Sequence, residues 1–308
     1  MTRAATLLAN TLTNHGVDRV FCVPGESYLA LIDALYDTPS IDVVTARHEG
    51  GASFMAVADA KMTGKPGIVM VSRGPGATNA SIGIHVSQQD AAPVIMFVGQ
   101  VSREDRGRGA FQEVDYVKTY SDMAKWVIEV SDADKISECV RRAFVIAQSG
   151  TPGPVIISLP EDMLLDETNA PALIPAIISQ PKPNMDDILE ICDMLAIAKR
   201  PLIIAGGQIG GNKGRNLLRK VSETWNIPVA TAWRHQDLFN TNHPNFSCHL
   251  AFNMPPIFKD TLNESDLIIG IGTRLGDVVT QGYKIPSAPQ PIQKLIHIYN
   301  DTKPLGKV

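Results

Sequence analysis

The stretch Gly67–Gly83, "GIVMVSRGPGATNASIG", decides how this chain folds. It opens with an unbroken apolar run (67–72), breaks at Gly74-Pro75-Gly76, and continues from Gly76 as a segment of helical period. A fully apolar strand that turns on glycines into a helix is the unit of a parallel sheet covered on both faces, because a sheet with one wet face alternates polar and apolar residues instead. Working outward, the unit recurs as "RVFCV" (19–23) with a helix from Ser27, and as "IDVVTA" (41–46) with a helix from about Gly50. It returns as "PVIMFVG" (93–99) before an irregular stretch, "AKWVIEV" (124–130) with a helix from Asp132, and "PVIISLP" (154–160). Residues 1–14 read as an amphipathic helix. The fold class predicted is α/β, with a doubly wound, mainly parallel first domain over residues 1–165.

From 161 to 184 the pattern stops: "EDMLLDETNAPALIPAIISQPKPN" holds four prolines and no period, so an interdomain linker is expected over 166–184. Strand and helix signals resume as a helix over 185–198, "PLIIAGG" (201–207), a helix over 211–225 and "IPVATA" (227–232). A helix around 255–263, "DLIIGIG" (266–272) and "KLIHIYN" (294–300) follow. The expectation is a second, Rossmann-like domain over 185–308 with about four strands. The chain ends at "DTKPLGKV", where another βα unit would be due, so a truncated or split gene product is expected.

The 308 residues are 44% hydrophobic and 19% charged, with a formal net charge of -4, which is globular material for two domains. Basic residues are scattered, so neither nucleic acid nor an anionic membrane is an expected partner. Cys22, Cys139, Cys192 and Cys248 are far apart and form no C-x-x-C pair, reading as reduced thiols in a cytoplasmic protein. No apolar run reaches the roughly 20 residues that span a bilayer. Small molecules are the ligands to look for.

"TARHEGGASFMA" (45–56) places Glu49 at the C-terminal end of the second predicted strand, the edge where open α/β sheets present ligand-binding residues. Read locally, Glu49 is a first-turn acid attracted by the helix dipole, and Gly50 and Gly51 are turn residues. The small residues of "EGGASFMAVADA" allow a second reading: another backbone or a flat ligand approaches closely, and a carboxylate packed in apolar surroundings handles a proton near neutral pH.

"SRGPGATNASIG" (72–83) is either an ordinary βα turn with Thr78 or Asn79 satisfying backbone groups, or an anion- or ring-binding loop at a helix start. It fits neither a Walker A loop nor G-x-G-x-x-G. "AFQEVDYVKTYSDMAKW" (110–126) carries Phe111, Gln112, Glu113 and Lys125 on a stretch too irregular for a simple crossover. His48, His85, His235, His243, His249 and His297 lack zinc-ligand spacing, and no G-x-S-x-G elbow signals a hydrolase. In the second domain "IIAGGQIGG" (203–211) and "GIGTRLGD" (270–277), with Arg274, are glycine turns without the dinucleotide fingerprint, so a dehydrogenase finds little support.

Taken together and in order, "VFCVPGES" (20–27), "ARHEGGASFMA" (46–56), "TGKPGIVMVSRGPGATN" (63–79), "VGQV" (98–101), "AFQEVD" (110–115), "AKW" (124–126) and "GTPGPVIISLPEDM" (150–163) resemble the thiamine-diphosphate enzymes of the acetolactate synthase type. The resemblance implies a first domain that binds the cofactor's aminopyrimidine ring and a Rossmann-like central domain. Glu49 matches the glutamate that activates the ring by a hydrogen bond to its nitrogen. Pro24, Gly25, Pro75, Gly76, Asn79 and Gln112 match cofactor-binding positions, and Phe111 and Lys125 the substrate side. The implied reaction is decarboxylation of a 2-oxo acid such as pyruvate followed by carboligation, with the cofactor as electron sink. The implied assembly is a homodimer or homotetramer.

The family's third domain, which holds the diphosphate through Mg2+ with Gly-Asp-Gly and Asn-Asn motifs, has no counterpart in these residues. A separate chain carrying that domain is an implied partner, and this chain by itself is expected to hold no metal and half of a site. The FAD-binding members have an arginine where Ser121 stands, Met-His-Gly where "CHLAF" (248–252) lies and Asp-Asp-Arg where "GDV" (276–278) lies, so FAD is not expected. The first loop reads "PGES" where the synthases have "PGGA". That departure leaves room for another decarboxylase or lyase of the superfamily. A non-catalytic binding or assembly module is the competing reading from outside enzymology.

Overall fold

The computed structural model describes residues 1–308, which divide into two compact units, Met1–Ser179 and Gln180–Val308. The first runs β1 (Thr2–Arg3), α1 (Ala4–Asn14), β2 (Arg19–Cys22), α2 (Leu29–Tyr36), β3 (Asp42–Thr45), α3 (Glu49–Thr63), β4 (Gly67–Val71) and α4 (Pro75–Asp90). It continues with β5 (Val94–Gln100), α5 (Tyr116–Tyr120), β6 (Trp126–Glu129), α6 (Ile136–Gln148), β7 (Pro154–Pro160) and β8 (Glu167–Thr168).

Six of these strands form one parallel sheet in the order β3-β2-β4-β5-β7-β6. The central strands are apolar throughout because both faces are covered. Val20, Ile68, Met70, Ile95, Phe97, Val155 and Ile157 point into a core with α1, α2 and α6, whereas Val69, Val71, Val94, Met96, Val98 and Ile156 point into one with α3, α4 and α5. Each such buried side chain contributes roughly 1.5–3 kcal/mol relative to exposure, so the sheet's order is secured from both sides. The chain steps from β2 outward to β3 and then returns to β4 on the other flank of β2. That reversal opens a crevice at the C-terminal ends of β2 and β4, where doubly wound sheets bind their ligands.

Small residues bring α3 and α4 together. A Cβ on Gly83 would meet Ser53 Oγ at 2.2 Å, and Ser53 Oγ itself donates to Gly50 O at 3.0 Å. α3 starts on His48, whose ring nitrogen accepts from Gly50 N, and ends on Gly64 in the left-handed region. α4 starts with Pro75 in its first turn, where a missing N–H costs nothing.

The second unit comprises α7 (Met185–Ile197), β9 (Pro201–Ala205), α8 (Gly211–Trp225), β10 (Val229–Thr231), β11 (Phe246–His249), α9 (Pro256–Glu264), β12 (Leu267–Ile271) and β13 (Lys294–Ile298). Its parallel sheet has the order β11-β10-β9-β12-β13, again with a core on each face. The α/β, doubly wound, mainly parallel architecture read from the sequence is therefore present twice.

Three details differ from the sequence reading. The second sheet has five strands, β11 being the one unforeseen. The irregular stretch after β5 contains the single-turn α5. The stretch expected as linker is bound to the first unit at its start: β8 pairs antiparallel with β1, Asn14 donates to Ala172 O at 3.0 Å, and Leu173 N donates to Ser137 Oγ at 2.8 Å. Only its later part, from Ser179 to Asn184, is exposed at every residue.

Candidate functional site

In a parallel sheet every strand presents its C-terminal end at one edge, and in the first unit the loops leaving β2, β3, β4, β5 and β7 meet there. The loop after β2, "VPGES", needs Gly25, because a Cβ at that position would stand 2.6 Å from Ser72 Cβ. Ser27, fully buried, bonds Ser72 Oγ at 2.9 Å and accepts from Arg73 N at 3.0 Å. Two neighbouring βα turns are thereby fixed against each other.

Glu49 is the first residue of α3, one position after the His48 cap. Its Oε2 accepts from Asn79 Nδ2 on α4 at 3.0 Å. Its Oε1 faces Gly76, where a Cβ would come within 3.3 Å, so the missing side chain leaves a notch beside that oxygen. The structure corrects one expectation: Glu49 is half-buried and Asn79 exposed, so the carboxyl opens onto the crevice instead of lying within packed apolar residues. Beneath it, burial pushes the Tyr28 hydroxyl well above the usual phenol range, with Cys22 and then Glu49 adding to the effect.

The turn after β4 is held by a buried cation. The Arg73 guanidinium pairs with Glu161 at 2.8 Å and Glu26 at 3.2 Å, and its Nε donates to Phe111 O at 3.3 Å. Only 9% of this side chain is exposed. A desolvated charge is tolerable when several acceptors surround it, and these acceptors come from three different loops. Gly74, at φ 59°, donates its N–H to Tyr116 Oη at 2.9 Å. Burial pushes the Tyr116 hydroxyl up to about 12, which keeps it protonated and able to donate to Gly99 O. Gln112, at φ 63°, lies with its backbone against Gly74, where a Cβ would meet Gln112 Cβ at 2.8 Å.

The loop from 101 to 115 is ordered by one carboxylate. Glu113 accepts from the N–H groups of Gly107 (2.7 Å), Gly109 (3.1 Å) and Ala110 (3.1 Å) and pairs with Arg106 at 2.6 Å. The Gly107 N–H foremost, with the other donors and Arg106, holds its carboxyl below the usual range. Arg106 reaches on to Glu129 at the end of β6 at 3.0 Å. Phe111 projects from this loop, 74% exposed.

Of the residues singled out in the sequence, Pro24, Gly25, Glu49, Pro75, Gly76, Asn79, Phe111 and Gln112 all lie on loops or helix starts at this edge. Lys125 does not. It precedes β6 at the opposite edge, with its Nζ donating to Ser149 O at 2.6 Å and to Ile146 O, carbonyls at the end of α6. Its stem also fills the space beside Gly153. The sequence reading missed Arg73, Glu26 and Glu161 as a group. The one signal for them was an arginine inside a glycine turn together with a glutamate where the resembled family has glycine. Among the residues of the chain, no group of three or more His, Cys, Asp or Glu converges as a metal site would.

In the second unit the glycine turns fill each other. A Cβ on Gly206 would strike Gly272 O at 2.5 Å, and one on Gly272 would meet Ile209 N at 2.6 Å. These glycines serve close contact between the turns after β9 and β12.

Comparison with known proteins gives matches over both units. Residues 2–119 match the thiamine pyrophosphate enzyme N-terminal TPP binding domain, and residues 188–308 match the thiamine pyrophosphate enzyme central domain. The chain is 33% identical over 314 residues to the acetolactate synthase large subunit of Lactococcus lactis subsp. lactis (strain IL1403), covering 100% of this chain and 54% of that protein. It is 33% identical over 319 residues to the mitochondrial acetolactate synthase of Schizosaccharomyces pombe, covering 96% of this chain and 47% of the relative. A probable acetolactate synthase large subunit of Methanocaldococcus jannaschii is 32% identical over 312 residues, covering 99% and 52%. The chain thus spans about half the length of the curated relatives it matches. No helix is long and apolar enough to cross a membrane.

Proposed function

Because the chain belongs to the thiamine pyrophosphate enzymes, we propose that residues 1–165 bind the aminopyrimidine ring of thiamine diphosphate against Glu49 and that 185–308 form the supporting central domain, joined through 166–184. We assign the complete protein decarboxylation of a 2-oxo acid such as pyruvate and carboligation of the remaining fragment, in the manner of an acetolactate synthase. The observation that carries this reading is the Glu49 carboxyl, anchored by Asn79 on one oxygen and facing the Gly76 notch with the other. A flat heteroaromatic ring with a hydrogen-bonding nitrogen fits such a notch, and a side chain at position 76 would fill it.

When bound, thiamine diphosphate supplies the electron sink for loss of carbon dioxide from the 2-oxo acid. The chain's own residues do the rest. With Oε2 held by the Asn79 amide, Glu49 Oε1 is the oxygen free to take or give a proton. Pro24, Gly25, Pro75 and Gly76 keep the two turns flat against each other at the crevice, and Gln112 borders it from the 101–115 loop. Phe111 offers its exposed ring on the substrate side. Lys125, on the far edge, takes no part. Mg2+ and the diphosphate fall to a diphosphate-binding domain on a separate chain or a further segment, in a homodimer or homotetramer.

A second reading has one observation behind it: the Glu26 carboxylate, 72% exposed and paired with Arg73, stands at the rim where the synthases carry glycine. A charge there favours a different acceptor, and with it another decarboxylase or lyase of the same superfamily.

The test uses holoenzyme assembled from this chain, a diphosphate-binding domain, thiamine diphosphate and Mg2+. Proton–deuterium exchange at the cofactor's thiazolium carbon is followed by NMR after rapid quenching. Glu49→Gln should slow exchange by about a hundredfold or more, the scale of a lost acid–base group; unchanged exchange would remove Glu49 from the activating role.

A further inference from the structure

Two helices of the second unit leave part of their apolar surface in water. α7 packs inward through Ile191, Met194, Leu195 and Ala198 and α8 through Leu218, and all of these join one core, so both helices cover the same face of the second sheet. Each keeps a further apolar stripe that points away from that core. On α7, Met185, Leu189, Cys192 and Ala196 recur at alternating steps of four and three residues, which sets them in line along the helix. Met185 and Leu189 are 69% and 57% exposed. On α8, Leu217, Val221 and Trp225 recur every fourth residue and are 52%, 43% and 45% exposed. A single exposed apolar residue needs no explanation, but rows of them on two helices of one face mark a contact surface.

The charges flanking the stripes have opposite signs. Asp186, Glu190 and Asp193 run beside the stripe of α7, and Lys213 and Lys220 run beside that of α8. All five are exposed and none has an ion pair within the chain. The remaining cations of α8 are already committed, Arg215 to Asp237 and Arg219 to Glu223. A partner of one sign would suit one helix and be repelled by the other. A second copy of the chain suits both, because a two-fold axis through this face sets α7 of each copy against α8 of the other, acid to base and stripe to stripe at both contacts. Helices of 13 and 15 residues are about 20 Å long and about 10 Å wide each. Together they offer a face roughly 20 Å square, the scale of the smaller stable interfaces.

We propose that this face joins two copies of the chain, with Met185 and Leu189 of one packed on Leu217, Val221 and Trp225 of the other and the α7 carboxylates opposite Lys213 and Lys220. The contact gives the homo-oligomer proposed above a definite surface and does not rest on the proposed reaction.

The test is sedimentation of the 308-residue chain with two charge-reversed variants. Lys213→Glu combined with Lys220→Glu makes both helices acidic, and Asp186→Lys combined with Glu190→Lys and Asp193→Lys makes both basic. The unsubstituted chain should associate reversibly with a Kd on the order of ten micromolar. Each variant, checked for an unchanged melt, should lose at least about tenfold in self-association, and an equimolar mixture of the two should recover it as a one-to-one pair, since acid then meets base at both contacts. A chain that stays monomeric overturns the proposal. Association indifferent to both reversals overturns it too, leaving a homo-oligomer built on another surface, as does a mixture that recovers nothing, which would assign the face to a different partner. Should a variant not fold, salt decides: association of the unsubstituted chain should weaken about tenfold between roughly 0.05 and 0.5 M, and association unchanged by salt overturns the pairing of the two helices.

Discussion

Glu49 owes its place to two residues that are small for different reasons. Gly50 packs under Asn79 O, where a Cβ would come within 3.4 Å, and Gly76 leaves the notch beside Oε1. Gly76→Ala would put a methyl 3.3 Å from that oxygen and 3.4 Å from Ser72 Cβ, contacts tight enough to close the notch but not to break the fold. We expect the melting temperature to move by only a few degrees while thiamine diphosphate binds about tenfold more weakly, roughly 1.4 kcal/mol, by calorimetry on the assembled holoenzyme. The position of Glu49 was legible because it follows an apolar strand directly, and strand ends are where the period of the sequence changes. Its half-exposure was not, since that depends on where Asn79 lies, 30 residues on. Arg73 was illegible for the same reason: its partners stand 47, 38 and 88 residues away, and no local pattern records them. Lys125 was misplaced because a matched motif names a residue without saying which edge of the sheet it faces.

The 101–115 loop behaves as an element, though it contains little regular structure, because Glu113 gathers three of its N–H groups. A carboxyl whose folded pKa is depressed stabilises the fold above the unfolded pKa and loses that contribution as pH falls through the folded value. Glu113 should therefore hold the loop above the ordinary glutamate range of about 4.3 and release it progressively below. Protection of the Gly107, Gly109 and Ala110 amides, taken as exchange relative to the intrinsic rate at each pH, should fall over that acid window, and Glu113→Gln should remove the acid-dependent step. Protection unchanged with pH in the unsubstituted protein would show that other contacts order the loop. The elements missed by sequence reading share a cause. α5 has five residues, too few to show a period, and β11 reads "FSCH", with too little apolar character to stand out from a loop. Tertiary pairing makes both: Tyr116 and Tyr120 are buried under the sheet, and β11 is an edge strand beside β10.

Each unit carries a sheet with a core on both faces, so each has what an independent folding unit needs. Residues 180–184 are exposed and belong to no helix or strand before α7 begins. Brief digestion with proteinase K should cut there first and release a fragment ending near Ser179 that still melts cooperatively by circular dichroism; early cleavage inside either sheet would contradict the division. This much was legible, because continuous apolar runs of five to seven residues are hard to mistake once they alternate with helices. The Arg73 clasp has a consequence for how the first unit is made. Synthesis proceeds from the N-terminus, and β4 with its turn emerges long before Glu161, the clasp's shortest ionic contact at 2.8 Å. Until then the turns after β2 and β4 can meet through Ser27 and Ser72, but Arg73 has only Glu26 and the Phe111 carbonyl as acceptors, and the end of β7 is not yet tied to them. Closing so long a loop is also slow relative to local structure. The β7 corner of the receptive edge is therefore the last part of the first unit to take shape, and a nascent chain released before Glu161 would have most of its core and a crevice whose buried arginine lacks its shortest ionic contact.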